Sequence, residues 1–171
     1  MFRTVVEHRP NSILLLAGDG GARSEIEAEV RRLGLSHHVK ILGYRDDPER
    51  LLAIADLFVI SSNREGLPRA AVQAGIAQVP IVSTALPGIN SIVHPNETGF
   101  VVPVGHLEGM EPLIRRLIDE PSLRTHMREC LGAVDFSAWA IERMIEKIDA
   151  VYAWLAGETR ERAPGVMSLH I

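Results

Sequence analysis

Ser62-Asn-Arg-Glu-Gly-Leu-Pro-Arg-Ala-Ala-Val-Gln-Ala-Gly-Ile-Ala-Gln-Val-Pro-Ile-Val-Ser-Thr84 sets the architecture of this chain. The residues before it, Leu57-Phe-Val-Ile60, read as an apolar strand that runs into a polar loop with one glutamate, Glu65. A Gly66-Leu67-Pro68 turn opens a helix over 68–78, and a Pro80-led strand follows. A carboxylate beside a helix N-terminus, at the carboxyl end of a strand, is a binding-site arrangement. Helix N-termini attract phosphate, and open parallel sheets hold ligands beyond the carboxyl ends of their strands. An acid that close to a phosphate site suits the hydroxyl groups of a sugar.

Upstream, residues 2–8 read as a helix stopped at Arg9-Pro10-Asn11. Ile13-Leu-Leu-Leu-Ala17 is an uninterrupted apolar run, as in a strand buried on both faces, and it ends in the turn Gly18-Asp-Gly-Gly21. Ile26, Val30 and Leu33 share one helical face, and Gly34 closes that helix as a C′ glycine. Val39-Lys-Ile-Leu-Gly43 is the next strand; Asp47 is a candidate cap with Pro48 at the first helical position. Downstream, 88–93 reads as a short helix and Phe100-Val-Val102 as a strand after the turn Asn96-Glu-Thr-Gly99. Helices follow from Leu107, broken at Glu120-Pro121 and again over 132–136, with a closing helix from about Ser137 to Leu155 and a tail, 157–171, expected to be disordered. Strands alternating with helices give an α/β domain with a mostly parallel sheet.

The bulk properties bound the function. A chain of 171 residues with 46% apolar and 23% charged side chains can bury one core. Eighteen basic against 22 acidic residues give a net charge of −4, with no basic stripe interleaved with aromatics, so nucleic acid is not the expected partner. The single cysteine, Cys130, excludes an intrachain disulfide and reads as a half-buried apolar residue on a helix. The histidines show no metal-ligand spacing, and no metal is expected. The longest apolar runs, 13–17 and 57–60, fall far short of the roughly 20 residues that cross a bilayer. A cytoplasmic location is the expectation, with peripheral contact at the inner membrane face left open.

Residues 2–156 resemble the C-terminal, nucleotide-sugar-binding half of retaining GT-B glycosyltransferases of the family 4 type (glycosyl transferases group 1). The resemblance rests on Ile13-Leu-Leu-Leu-Ala-Gly-Asp-Gly20, Val39-Lys-Ile-Leu-Gly-Tyr-Arg-Asp-Asp47, Ala55-Asp-Leu-Phe-Val-Ile-Ser-Ser62, Glu65-Gly-Leu-Pro68, Val79-Pro-Ile-Val-Ser-Thr84 and Thr98-Gly-Phe-Val-Val-Pro103, in that order. It implies a Rossmann-like sheet with helices on both faces and a UDP- or GDP-sugar donor used without an essential metal or other cofactor. It also implies transfer of a hexosyl group to a glycan or lipid acceptor held by a second domain. Two acids eight positions apart mark the donor site in this family. Glu65 matches the first, which contacts sugar hydroxyls; the second position holds Gln73, an amide that can still meet ribose hydroxyls but without charge. Ser91 likewise stands where the family often has glutamate.

The N–H groups of Leu67, Arg69 and Ala70 at the helix start are expected to meet the diphosphate, with Pro68 suiting the first helical turn and Ser62 and Gly66 counted with the donor-binding residues; Gly18 and Gly20 let backbone approach the ligand, and the resemblance puts the loop of Tyr44 and Arg45 against the base. Each has a plainer reading: Glu65 as a helix cap, Gln73 and Arg69 as solvated helix residues, Gly18 and Gly20 as an ordinary turn, and Tyr44 as packing. The family's domain begins with a strand and a loop bearing arginine and lysine, and this chain is expected to start after them and to lack the acceptor domain. Unpaired neighbours of such a strand would open a route to homodimers through the exposed sheet. The competing function classes are a non-catalytic nucleotide-binding or scaffolding module, favoured by Gln73 and Ser91, and a nucleotide-sugar epimerase of the same architecture, for which too few acids are present.

Overall fold

The computed structural model describes residues 1–66 and 68–158. Leu67 and most of the expected disordered tail, from 159 on, lie outside the described residues. The chain divides into two compact units, residues 1–134 and residues 135 onward.

The first unit runs α1 (Phe2–His8), β1 (Leu14–Ala17), α2 (Arg23–Arg32), β2 (Val39–Gly43), α3 (Pro48–Ala53), β3 (Phe58–Ile60), α4 (Arg69–Ile76), β4 (Ile81–Thr84), β5 (Gly99–Val102), α5 (Met110–Asp119) and α6 (Pro121–Gly132). Gly34 carries the left-handed φ of 70° that ends the α2 segment. The expected helix over 88–93 is a single 3-10 turn, Ile89–Ser91. Every strand pair is parallel, as the alternation implies. The pairing forms two sheets, β1 with β2, and β3, β4, β5 in that order.

The Leu14 N–H donates to His38 O, and the Phe58 N–H donates to Pro80 O. Alternation along a strand then turns the main chain of Leu15 and Val59 toward the opposite edges. Among the described residues no strand pairs with either of those edges. This explains a departure from the sequence reading: β1 is half-buried, not buried on both faces, and Ile13 is 51% exposed.

The core lies on the three-stranded sheet, where β4 is buried at every position. Val82, Phe100 and Val102 pack with Val5 of α1, Met110, Ile114 and Leu117 of α5, and Met127 of α6. Burying a side chain of this size contributes about 1.5–3 kcal/mol. Helix α4 packs on β3 and β4 through small residues, with Ala71, Ala74 and Gly75 buried. Gly99 begins β5 so close to β4 that a Cβ there would lie 1.9 Å from Ile81 O. Outside the sheet, Asp119 at the end of α5 ties down α1. His8 Nε2 is 2.8 Å from its Oδ2, and Arg9 donates to its Oδ1 at 2.8 Å.

In the second unit, the Asp135 carboxylate accepts the Ser137 N–H at 2.8 Å and starts a 3-10 turn, Ser137–Trp139. Ala140 is extended, so the closing helix expected from Ser137 begins at Ile141 and runs to Leu155 as α7.

Candidate functional site

Strand β3 delivers the chain into the loop 61–68, and α4 carries it away. Glu65 sits in this loop, half-buried, and Ser62 Oγ donates to its Oε1 at 2.8 Å. Among the described residues this is the one side-chain hydrogen bond to Glu65; the capping role open to it in the sequence is not the bond it makes. Ser62 is itself held. Thr84 Oγ1 donates to the Ser62 carbonyl at 2.5 Å, and Ser83 Oγ donates to the Thr84 carbonyl at 2.8 Å. Ser83 and Thr84 are fully buried at the carboxyl end of β4. Buried hydroxyls need partners, and these find them in main-chain carbonyls.

Pro68 is the N-cap residue of α4, one position earlier than the sequence reading put it in the helix, with φ −76° and ψ 69°. The N–H groups of Ala71 and Val72 point back to Pro68 O. Arg69 and Ala70 precede those bonds, as the orphan donors of a helix start do, and both are exposed. Gly66 is exposed beside them, and Gln73 is exposed one turn further along α4. Ser62, Glu65, Gly66, Pro68, Arg69, Ala70 and Gln73 thus occupy one β3–α4 segment. Thr84, which the sequence reading passed over, belongs with them. The signal available was a polar Ser83-Thr84 pair ending an otherwise apolar strand.

The second cluster joins the carboxyl ends of β1 and β2. The Gly18 N–H donates to Gly43 O at 2.7 Å, and the Arg23 guanidinium lies against Gly43, held by Glu27 at 3.0 Å. The Gly20 N–H is taken by Asp19 Oδ1 at 2.9 Å. Tyr44 is 79% exposed, so it does not pack as a core residue. Arg45 makes a two-point contact with Asp47, at 2.7 and 2.6 Å. Asp47 is at the N-cap of α3 and Pro48 at its first position, but the Asp47 side chain makes no cap bond and is held by Arg45 instead. Ser91 is exposed and bonds within its own loop, donating to Gly88 O at 2.6 Å.

Among the described residues no three His, Cys, Asp or Glu side chains gather as a metal site, and no helix is long and apolar enough to cross a membrane.

Comparison with known proteins adds findings of family, sequence and structure. The family model described as glycosyl transferases group 1 matches residues 1–130. A lipopolysaccharide core biosynthesis glycosyltransferase of Rhizobium meliloti, LpsE, is 33% identical over 131 residues, which are 75% of this chain and 38% of LpsE. A UDP-Gal:alpha-D-GlcNAc-diphosphoundecaprenol alpha-1,3-galactosyltransferase of Escherichia coli is 24% identical over 84% of this chain and 37% of its own length. Among solved structures, Anabaena Alr3699/HepE in complex with UDP-glucose superimposes with a TM-score of 0.78 at 23% identity, over 88% of this chain and 43% of that one. WaaG, a glycosyltransferase involved in lipopolysaccharide biosynthesis, gives a TM-score of 0.72 at 22% identity, over 83% and 39%. The chain thus spans about two-fifths of the length of the relatives it matches.

Proposed function

The chain belongs to the glycosyl transferases group 1 family, and from that membership we propose that its β3–α4 segment holds the donor, a UDP- or GDP-linked hexose. The observation that carries this reading is the Glu65 carboxylate, fixed by Ser62 in the loop that leads directly into α4. A carboxylate has about four acceptor positions on its two oxygens. Ser62 uses one on Oε1, leaving Oε2 for sugar hydroxyls. In this reading the N–H groups of Arg69 and Ala70 face the diphosphate, with the Arg69 guanidinium as a countercharge. Gln73, one turn on, meets the ribose, and exposed Tyr44 lies against the base.

Transfer is assigned to a larger assembly. The relatives are more than twice as long as the stretch this chain matches, and the acceptor is expected on the part not represented here. The 171 residues by themselves should therefore bind donor without turning it over.

A second reading is favoured by Gln73, which replaces a charged partner by a neutral amide. Neutral hydrogen bonds contribute about 0.5–1.5 kcal/mol against 1.5–3 for charged ones. On that reading the site binds nucleotide weakly and serves as a scaffold. Calorimetric titration with UDP, GDP and UDP-glucose tests both. Donor binding requires that UDP-glucose bind and that Glu65→Ala weaken it about 10-fold or more, as the loss of one charged hydrogen bond implies. The absence of measurable affinity for any of the three ligands would overturn the donor-site reading.

A further inference from the structure

We propose that Thr84 is a positioning residue for Glu65, acting through Ser62 across the junction of β3 and β4. The inference rests on the donor-site reading for its functional consequence, but its structural basis stands apart. The β3–β4 ladder ends at the pair Ile60 and Ser83. Beyond it the β3 chain turns away toward α4, while β4 goes on to pair Thr84 with Val102 of β5. At that fork the main chain of residues 61–65 has no further strand bond to β4. The Thr84 hydroxyl supplies a substitute by donating to the Ser62 carbonyl at 2.5 Å. Ser62 then carries the restraint outward, donating from Oγ to Glu65 Oε1 at 2.8 Å. A buried side chain on the most enclosed strand is thus connected to a half-buried carboxylate through one residue.

The restraint has a chemical use. The Ser62 hydroxyl has one proton to donate and spends it on Glu65 Oε1, so the carboxylate it holds stays oriented while Oε2 accepts no side-chain hydrogen bond among the described residues. A carboxylate that samples several rotamers loses part of any contact with a sugar to the entropy of ordering, whereas a pre-oriented one does not. Contacts from the helix start to a diphosphate do not pass through Glu65. Loss of the Thr84 bond should therefore weaken a nucleotide sugar selectively, leaving the nucleotide alone nearly unaffected.

The test uses the 171-residue chain and the variants Thr84→Val, Thr84→Ser, Ser62→Ala and Glu65→Ala. Thr84→Val keeps the shape and removes the hydroxyl; Thr84→Ser keeps the hydroxyl. Hydrogen exchange without ligand is read first. The expected result is faster exchange over 61–66 in Thr84→Val, unchanged exchange in α5, and recovery in Thr84→Ser. Ser62→Ala, which changes only a loop side chain, provides the second route if the buried substitution prevents folding. It should likewise speed exchange at 63–66.

Affinities for UDP and UDP-glucose are read next. Thr84→Val should lower the preference for UDP-glucose over UDP by about 2- to 10-fold, the range of one neutral hydrogen bond, and should have no further effect on it in a Glu65→Ala background. Unchanged exchange in both Thr84→Val and Ser62→Ala overturns the positioning role, as does an equal loss for UDP and UDP-glucose. Altered exchange with a Glu65→Ala protein that binds UDP-glucose as well as wild type, or with a wild type that binds neither ligand, overturns the donor-site reading and the role in sugar binding with it, leaving the loop restraint established.

Discussion

Glu65 and Asp47 make a useful pair at the scale of single residues. Both are acids just ahead of a helix, and on sequence alone both could cap it. Asp47 is claimed by Arg45 through two bonds, and its carboxylate is paired within the protein. Glu65 receives a single side-chain bond, from a neutral hydroxyl, and makes no ion pair among the described residues. That difference leaves Asp47 engaged within the protein and, on the proposed reading, Glu65 available to a ligand. It was not legible in the sequence, because both outcomes depend on which neighbour reaches the carboxylate first. The place of Glu65 in a loop between strand and helix was legible, because the apolar run Leu57-Phe-Val-Ile60 and the Gly66-Leu67-Pro68 turn bracket it. The expected consequence of Arg45→Ala is small. The ion pair is exposed, such pairs contribute about 0–1 kcal/mol, and a thermal melt should move by no more than a few degrees.

At the scale of elements, two junctions decide whether the first unit holds together. Gly99 is the tighter. With Ile81 O in the space a Cβ would need, Gly99→Ala must push β5 away from β4 or bend its start. Overpacking of this kind costs about 1–3 kcal/mol, and the expected readout is a lower melting temperature with UDP affinity per folded molecule unchanged. A melt equal to wild type would show that β4 and β5 are not in this register. The α1–α5 junction is electrostatic as well as apolar. The hydrogen bond with His8, and then that from Arg9, hold the Asp119 carboxyl below its ordinary value of 3.8. A carboxyl depressed in the folded state stabilises that state fully above the ordinary carboxylate range, and the contribution is lost as pH falls through the lowered value. Melts of wild type and Asp119→Asn should differ at neutral pH and converge in strong acid; a constant difference would mean that Asp119 acts by packing alone. The turn glycines and the Pro48 helix start were readable because local chemistry fixes them. The 3-10 turn at 89–91 and the late start of α7 at Ile141 were not, since tertiary packing and the extended Ala140 set those ends.

At the scale of the whole chain, α/β character and parallel pairing follow from the order of apolar runs and turn residues. The division into two sheets does not, because a run such as Ile13-Leu-Leu-Leu-Ala17 reports that a strand is apolar, not which strands lie beside it. Its half-exposure, and the edges at Leu15 and Val59 with which no strand among the described residues pairs, follow from how the elements pack. The donor claim belongs to this scale too, since it concerns where on the molecule a nucleotide sugar rests. It is tested most directly by hydrogen exchange of the 171-residue chain with and without saturating UDP-glucose. The expected result is protection concentrated in 61–73, the loop of Ser62 and Glu65 with the first turn of α4, and reduced by Glu65→Ala. Protection confined to other segments, with 61–73 exchanging as in the free protein, would contradict it.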